Sequence, residues 1–192
     1  MIAGLLLAAG YSRRFGADKL AATLDGKAVI RWSAMALSSL DAVYVVIPPG
    51  ADALAQALSG LDVTFVINPG RDEGMSSSIR LGMAALPLEV TAVMIALADQ
   101  PRVAPATVTA LCSRWRARDV AAVAPVYRDG RGHPVLFGRD CFGALTSLKG
   151  DVGARAILDG LGDGVAYVDV DALTPVDVDT PELLAGMQGV SS

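Results

Sequence analysis

At 192 residues the chain is long enough for one sizeable domain and short for two ordinary ones. Hydrophobic residues make up 53% of it, chiefly Ala, Val and Leu, which suits a parallel sheet buried on both faces; no apolar run approaches the roughly 18 residues that span a bilayer. A formal net charge of −4 excludes a global positive field for a nucleic-acid backbone, and the two cysteines, Cys112 and Cys141, are spaced like neither a metal site nor a redox pair.

The chain opens on an apolar run, Ile2–Ala8, read as a first strand. No basic segment precedes it, and Arg13 and Arg14 follow it, the reverse of an export signal, so the expected compartment is the cytoplasm. A helix is expected near Ala28–Leu40, a strand at Ala42–Ile47, a helix near Ala51–Leu58 and a strand at Thr64–Ile67. Then come a helix near Ser76–Leu86, a strand at Ala92–Leu97 and a helix near Pro105–Ala117, where Val108, Leu111, Cys112 and Trp115 share one face. Strands follow at Ala121–Pro125 and Val165–Val170. Between them the pattern turns rich in glycine and charge, and Val123–Tyr127 with Pro134–Phe137 is expected to form a hairpin or lobe over the site. One domain over 1–187 and a flexible tail over 188–192 complete the expectation.

Strands alternating with helices predict an α/β fold, a mostly parallel sheet with helices on both sides and right-handed crossovers. Such sheets bind ligands beyond the carboxyl ends of their strands, where strand order reverses. The loops after Ala8 and after Leu97 are therefore expected to meet.

The first of these loops runs from Leu7 to Lys19. Gly10 and Gly16 permit close backbone approach to a ligand, Ala8 and Ala9 leave room for a flat base or ribose, and Arg13 with Lys19 suits phosphate oxygens. The spacing is neither that of a P-loop nor that of a dinucleotide fingerprint. The plain alternative is a strand-to-helix turn with a solvated basic cluster. The second loop carries Asp99-Gln100-Pro101, a carboxylate just past a buried strand, where an ion is costly unless a cation or donors meet it. Asp99 could instead cap the Pro105 helix. A further acidic cluster, Asp177-Val178-Asp179-Thr180-Pro181-Glu182, also reads as a helix start, with Thr180 or Asp179 as cap. Both carboxylates binding one Mg²⁺, completed by phosphate and water, is the functional alternative.

Ser76, Ser77 and Ser78 stand ahead of an apolar helix that carries Gly82. One serine is accounted for as a cap, and Gly82 either permits close packing or faces a ligand; Ser78 is the candidate for reading a base edge. His133, the sole histidine, sits in Gly132-His133-Pro134 and on its own reads as a structural hydrogen-bonding residue.

Leu7-Ala8-Ala9-Gly10 through Lys19 resembles the signature loop of the MobA-like nucleotidyltransferase superfamily, and the Ala98-Asp99-Gln100-Pro101 and Asp177–Glu182 segments resemble its metal and C-terminal motifs. With Gly74-Met75-Ser76-Ser77-Ser78, the resemblance is closest to the molybdenum cofactor cytidylyltransferases and spans residues 5 to about 182. It implies a Rossmann-like three-layer α/β/α sandwich. It further implies nucleotide binding by Leu7, Ala8, Ala9, Gly10, Ser12, Arg13, Lys19, Ser78 and Gly82. Arg13, Lys19 and Asp99 would be catalytic, Asp99 and Asp179 (or Asp177) would hold Mg²⁺, and His133 would face the acceptor. The implied reaction moves CMP from CTP to the terminal phosphate of molybdopterin–molybdenum cofactor, with a molybdenum hydroxylase apo-enzyme or its chaperone as recipient. The alternatives are guanylyl transfer to the same cofactor, transfer to a sugar or polyol phosphate, and a non-catalytic nucleotide- or cofactor-binding insertion protein.

Overall fold

A computed structural model gives the fold and describes residues 1–11, 15, 18–117 and 120–189. The strands are β1 (Ile2–Leu7), β2 (Thr23–Leu24), β3 (Lys27–Ala28), β4 (Ala42–Ile47), β5 (Thr64–Ile67), β6 (Ala92–Leu97), β7 (Ala122–Tyr127), β8 (Gly130–Arg131), β9 (Val135–Gly138) and β10 (Val165–Asp169). The helices are α1 (Val29–Ala36), α2 (Asp52–Ala57), α3 (Met75–Ala84), α4 (Pro105–Arg116), α5 (Phe142–Thr146), α6 (Arg155–Leu161) and α7 (Pro181–Gly186). Among the described residues no helix is long and apolar enough to cross a membrane.

The main sheet runs β10-β7-β9-β6-β1-β4-β5, with β8 paired to β7 outside that order. Neighbours are parallel except β9, which is antiparallel to both β6 and β7, and β8. Side chains alternate across β1, so Leu5 and Leu7 pack on one face and Leu6 on the other. The Leu6 face is covered by α1, α2, α4 and α7 through Leu37, Leu54, Leu111 and Leu184. The Leu5 face is covered by α3, α5 and α6 through Ile79, Leu145 and Leu158. Both faces being apolar explains why β1 and β6 read as unbroken hydrophobic runs. The expected three-layer, mostly parallel α/β architecture is the one observed.

Two details correct the sequence reading. The segments Val123–Tyr127 and Pro134–Phe137 do pair antiparallel, but not as a lobe: β9 lies between β7 and β6, with Val135 opposite Ile95. The reason is burial, since Val135, Leu136 and Phe137 are almost fully enclosed there and would be wet on a lobe. Helix α1 stops at Ala36 rather than Leu40, because the chain turns back and Asp41 accepts a hydrogen bond from the Ile2 amide at 2.6 Å. At the other end, Gln188 donates to the Thr23 carbonyl at 3.0 Å and Gly189 to Asp25 at 2.8 Å. Asp25 also meets Arg102, whose guanidinium reaches the Met187 carbonyl at 2.7 Å, so the end of α7 is latched to the β2–β3 hairpin.

Candidate functional site

The chain leaves β1 for β4 on one side and returns to β6 on the other, which makes the β1/β6 boundary the point where strand order reverses. Leu7 and Leu97 stand in register there, and Ala98 donates its amide to the Leu7 carbonyl at 3.1 Å. The two loops flagged in the sequence therefore meet.

Their meeting is ionic. Lys19 Nζ lies 2.7 Å from Asp99 Oδ2 and 2.9 Å from Asp179 Oδ1, with only 11% of its side chain exposed. Burial alone would pull the lysine's pKa down, but the hydrogen bonds and charges of Asp99 and Asp179 outweigh it, so the ammonium form is held above its ordinary range. The Val178 amide donates to the Asp99 carbonyl at 2.9 Å and fixes the C-terminal acidic segment to the loop after β6. Beside this pair, Gln100, itself buried, donates to Asp177 Oδ1 at 2.8 Å. The Asp177 carboxyl is pushed up by burial, with the charges of Asp99 and Asp179 adding to the effect. Asp99 is not a cap for α4, which starts on Ala104 with Pro105 in its first turn; Thr180 is the cap of α7, accepting from the Leu183 amide at 3.3 Å.

A cleft of about 750 Å³ opens over these groups, within the size range of small-molecule sites. Leu7, Ala9, Gly10 and Tyr11 form one wall, and Gly74, Met75 and Ser78 at the start of α3 form the other. Leu97, Asp99 and Asp177 lie at the bottom, while Arg71 and Asp151 stand at the rim. The Arg71 guanidinium stacks over the Tyr11 ring at 4.2 Å, joining the two walls.

The serines are ordered by a residue the sequence reading passed over. Asn68, fully buried past β5, donates from one amide nitrogen to Ser77 Oγ and Ser78 Oγ, both at 2.9 Å, while its Oδ1 accepts from the Gly70 amide. Ser77 spends its own proton on the Gly74 carbonyl at 2.8 Å, and Ser76 Oγ accepts from Arg80 at 3.1 Å. Of the three hydroxyls, only Ser78 lines the cleft, and the bond it accepts from Asn68 turns its own proton away from that partner. None of the serines caps the helix. The turn into α3 is made by Gly74, at φ 89°, where a side chain would meet the Gly150 backbone at 2.6 Å. The first amides of α3 are met instead by Asp151 Oδ1 and the Gly150 carbonyl, both at 3.3 Å.

Gly82 is not a cleft residue, which corrects its expected nucleotide contact. It lies one turn beyond Ser78, over β1, where an added Cβ would sit 2.3 Å from Leu5 Cδ1. Its role is close packing of α3 on the sheet. Ala8 is buried in the core on the opposite sheet face from Ala9. Ser12, Arg13, Arg14 and Gly16 lie outside the described residues.

His133 lies at the same sheet edge, just before β9, with a cis bond to Pro134. Nδ1 is buried without a hydrogen-bond partner among the described residues, and the nearby Ile95 carbonyl favours the charged ring. Burial is the main reason its pKa falls below the ordinary histidine value; Asp177 and Asp99 pull the other way. Among the described residues no three carboxylate, histidine or cysteine side chains form a ready-made metal cage.

Comparison with known proteins agrees with this layout. The family model described as the MobA-like NTP transferase domain matches residues 4–170. The purine catabolism protein PucB of Bacillus subtilis (strain 168) is 34% identical over 194 residues, covering 93% of this chain and 92% of its own length. Rv0371c from Mycobacterium tuberculosis H37Rv is 29% identical, with a TM-score of 0.84 over 96% of this chain and 97% of that one. Its complex with manganese superposes with a TM-score of 0.81 at 26% identity, over 99% of both chains. A nucleotidyl transferase from Methanothermobacter thermautotroptrophicus (Mth528) is 25% identical, with a TM-score of 0.80 over 98% of this chain and 96% of that one.

Proposed function

The chain belongs to the MobA-like NTP transferase family, and on that premise we propose that it transfers CMP from CTP to the terminal phosphate of molybdopterin–molybdenum cofactor. The products are pyrophosphate and the cytosine dinucleotide form of the cofactor, which passes to a molybdenum hydroxylase apo-enzyme or its chaperone.

The observation that carries the reading is the charge pattern at the bottom of the cleft. Two carboxylates, Asp99 and Asp179, pair with the Lys19 ammonium, and Asp177 lies within electrostatic reach of all three, so carboxylates gather at one point of the cleft. A hard divalent cation is the natural complement, and the manganese complex of Rv0371c supports one on this fold. In this chain Asp99 would hold Mg²⁺. The second carboxylate is Asp179, which shares Lys19 with Asp99, or Asp177, which lines the cleft with Asp99. With one or two protein carboxylates, phosphate and water supply the remaining ligands, which fits the lack of a three-residue cage among the described residues. The bound ion would neutralise triphosphate charge.

The protein's own groups position and stabilise. The backbone from Leu7 to Gly10 borders the nucleotide, and Lys19 is held ready to follow charge from Asp99 and Asp179 onto the departing pyrophosphate. Arg13 and Ser12 complete the phosphate contacts. His133 stands toward the acceptor. Cytosine as the base is compatible with Ser78: a hydroxyl that accepts from Asn68 keeps its proton for an acceptor such as cytosine O2 or N3. Ala9, with no bulk beyond Cβ, leaves the ring room along the opposite wall.

Pyrophosphate release measured with each of the four nucleoside triphosphates, with and without molybdopterin cofactor, tests the reading. Release is expected from CTP plus cofactor. Release from GTP would move the assignment to guanylyl transfer, release only with a sugar phosphate would change the acceptor, and nucleotide affinity without release would make the protein a binder.

A further inference from the structure

Beside the nucleotide cleft lies a smaller recess in which His133 is joined by arginines that no sequence motif singled out. Its walls are Arg131, Gly132 and His133 before β9, Val135 at its start, and Arg155 and Leu158 on α6. Two guanidinium groups and the only imidazole of the chain thus share a hollow with an apolar back.

The three polar groups are in different states. Arg131 is fixed at the rim, donating to Asp159 Oδ1 at 3.0 Å and to the Tyr167 hydroxyl at 3.2 Å. Arg155 makes no ion pair among the described residues. His133 lines the same hollow, with its Nδ1 buried and, among the described residues, without a hydrogen-bond partner. Two guanidinium groups against an apolar back, one of them without an ion pair among the described residues, suit an anion with several oxygens. A phosphate monoester fits, since its oxygens pair with an arginine fork.

We propose that this recess is the subsite for the acceptor's phosphate monoester, held by Arg155 and Arg131, with His133 in its wall. The proposal rests on the transfer reaction above, which requires an acceptor close to the same carboxylates as the nucleotide. His133 provides the connection, since its ring lies within electrostatic reach of Asp177 and Asp99 on one hand and of Arg155 on the other. The donor triphosphate and the acceptor phosphate then approach the acidic centre from separate hollows, so each is bound by its own cations and the two anions need not share them.

As His133 is the sole histidine, its imidazole resonances report on this recess without assignment work. Inorganic phosphate is titrated into the full chain, with and without α,β-methylene-CTP and Mg²⁺ to fill the nucleotide cleft. A saturable imidazole shift is expected in the wild type under both conditions. Arg155→Ala, at an exposed position, should weaken the apparent Kd by about tenfold or more, and Arg155→Lys, which keeps charge but not the fork, by less. In turnover, Arg155→Ala should raise KM for the acceptor and leave KM for the triphosphate unchanged. Absence of a saturable shift, or equal phosphate affinity in wild type and Arg155→Ala, overturns the subsite. Phosphate binding that depends on Arg155, in a protein that does not turn over molybdopterin cofactor, supports the subsite and overturns only the named acceptor.

Discussion

Replacing Gly82 by alanine tests whether the helix that carries Ser78 is placed by packing or by ligand. In α3 the new methyl would start 2.3 Å from Leu5 Cδ1 and 2.8 Å from Cδ2. Carbon atoms settle near 3.5–4.0 Å, so one partner has to withdraw by about 1.2 Å or more. Leu5 has nowhere to go: it is fully buried on β1, the strand hydrogen-bonded to β4 on one side and β6 on the other, among Val46, Ile79 and Val93. Overpacking of this kind costs about 1–3 kcal/mol, and the better helix propensity of alanine returns up to about 1 kcal/mol. A net loss of about 1–2 kcal/mol corresponds to a fall in Tm of about 2–8 °C for a chain of this length. Thermal and urea unfolding of the variant measure it. In a Leu5→Ala background the same methyl enters a cavity, so Gly82→Ala should there be neutral or stabilising, giving a coupling of opposite sign to the single effect. Unchanged stability together with a raised KM for triphosphate would refute the packing account and restore Gly82 to the nucleotide site.

Lys19→Ala is expected to lower kcat/KM for the triphosphate by about 100-fold, the scale on which a preorganised charge acts on a transferring phosphoryl group; an unchanged value in a pyrophosphate-release assay would remove Lys19 from the chemistry. Asp177→Asn bears on pH. Its carboxyl is pushed up in the folded protein, so the folded state binds the proton more tightly than the unfolded chain, and stability is lost as pH rises past the ordinary carboxylate value of 3.8. Removing the charge should therefore raise Tm at pH 7 and leave it unaltered well below pH 3.8, and Mg²⁺ should stabilise the wild type more than the variant; a lower Tm for Asp177→Asn at pH 7 would contradict this.

The strands were the most readable part of the sequence. Ala42–Ile47 and Ala92–Leu97 coincide with β4 and β6, since a strand covered on both faces is written as an apolar run with polar punctuation, and Thr64–Ile67 coincides with the mostly exposed edge strand β5. The same logic failed for β9, whose four residues are apolar enough for the core but too few to reveal which strands they join. Helices α5 and α6 were not anticipated, being only five and seven residues long and holding one fully buried leucine each, so their apolar period has no room to show. At the site, Lys19 and Asp99 were legible because a charge next to a buried strand end has to be explained chemically. Asn68 was not. It follows a strand and precedes Pro69-Gly70, which reads as a turn, and its grip on two serines exists only once α3 has packed beside β5. Ser78 and Gly82 are four residues apart on one helix face, yet that spacing carries the second about 6 Å along the axis, from the edge of the cleft onto Leu5.

The contact between Lys19 and Asp179 joins residues 160 positions apart, and the latch formed by Asp25, Arg102 and Gln188 closes the same circuit a few residues later. A chain emerging from the ribosome can pair β1 with β4 and β6 before residues 177–179 exist, so the central strands can precede the cluster of Lys19, Asp99 and Asp179. Until the 177–179 segment docks, the Asp99 loop has neither the Val178 amide nor the neighbouring carboxylates against it. A chain cut short before that segment would keep the strands and lose the ion pair that ties the two ends of the fold together.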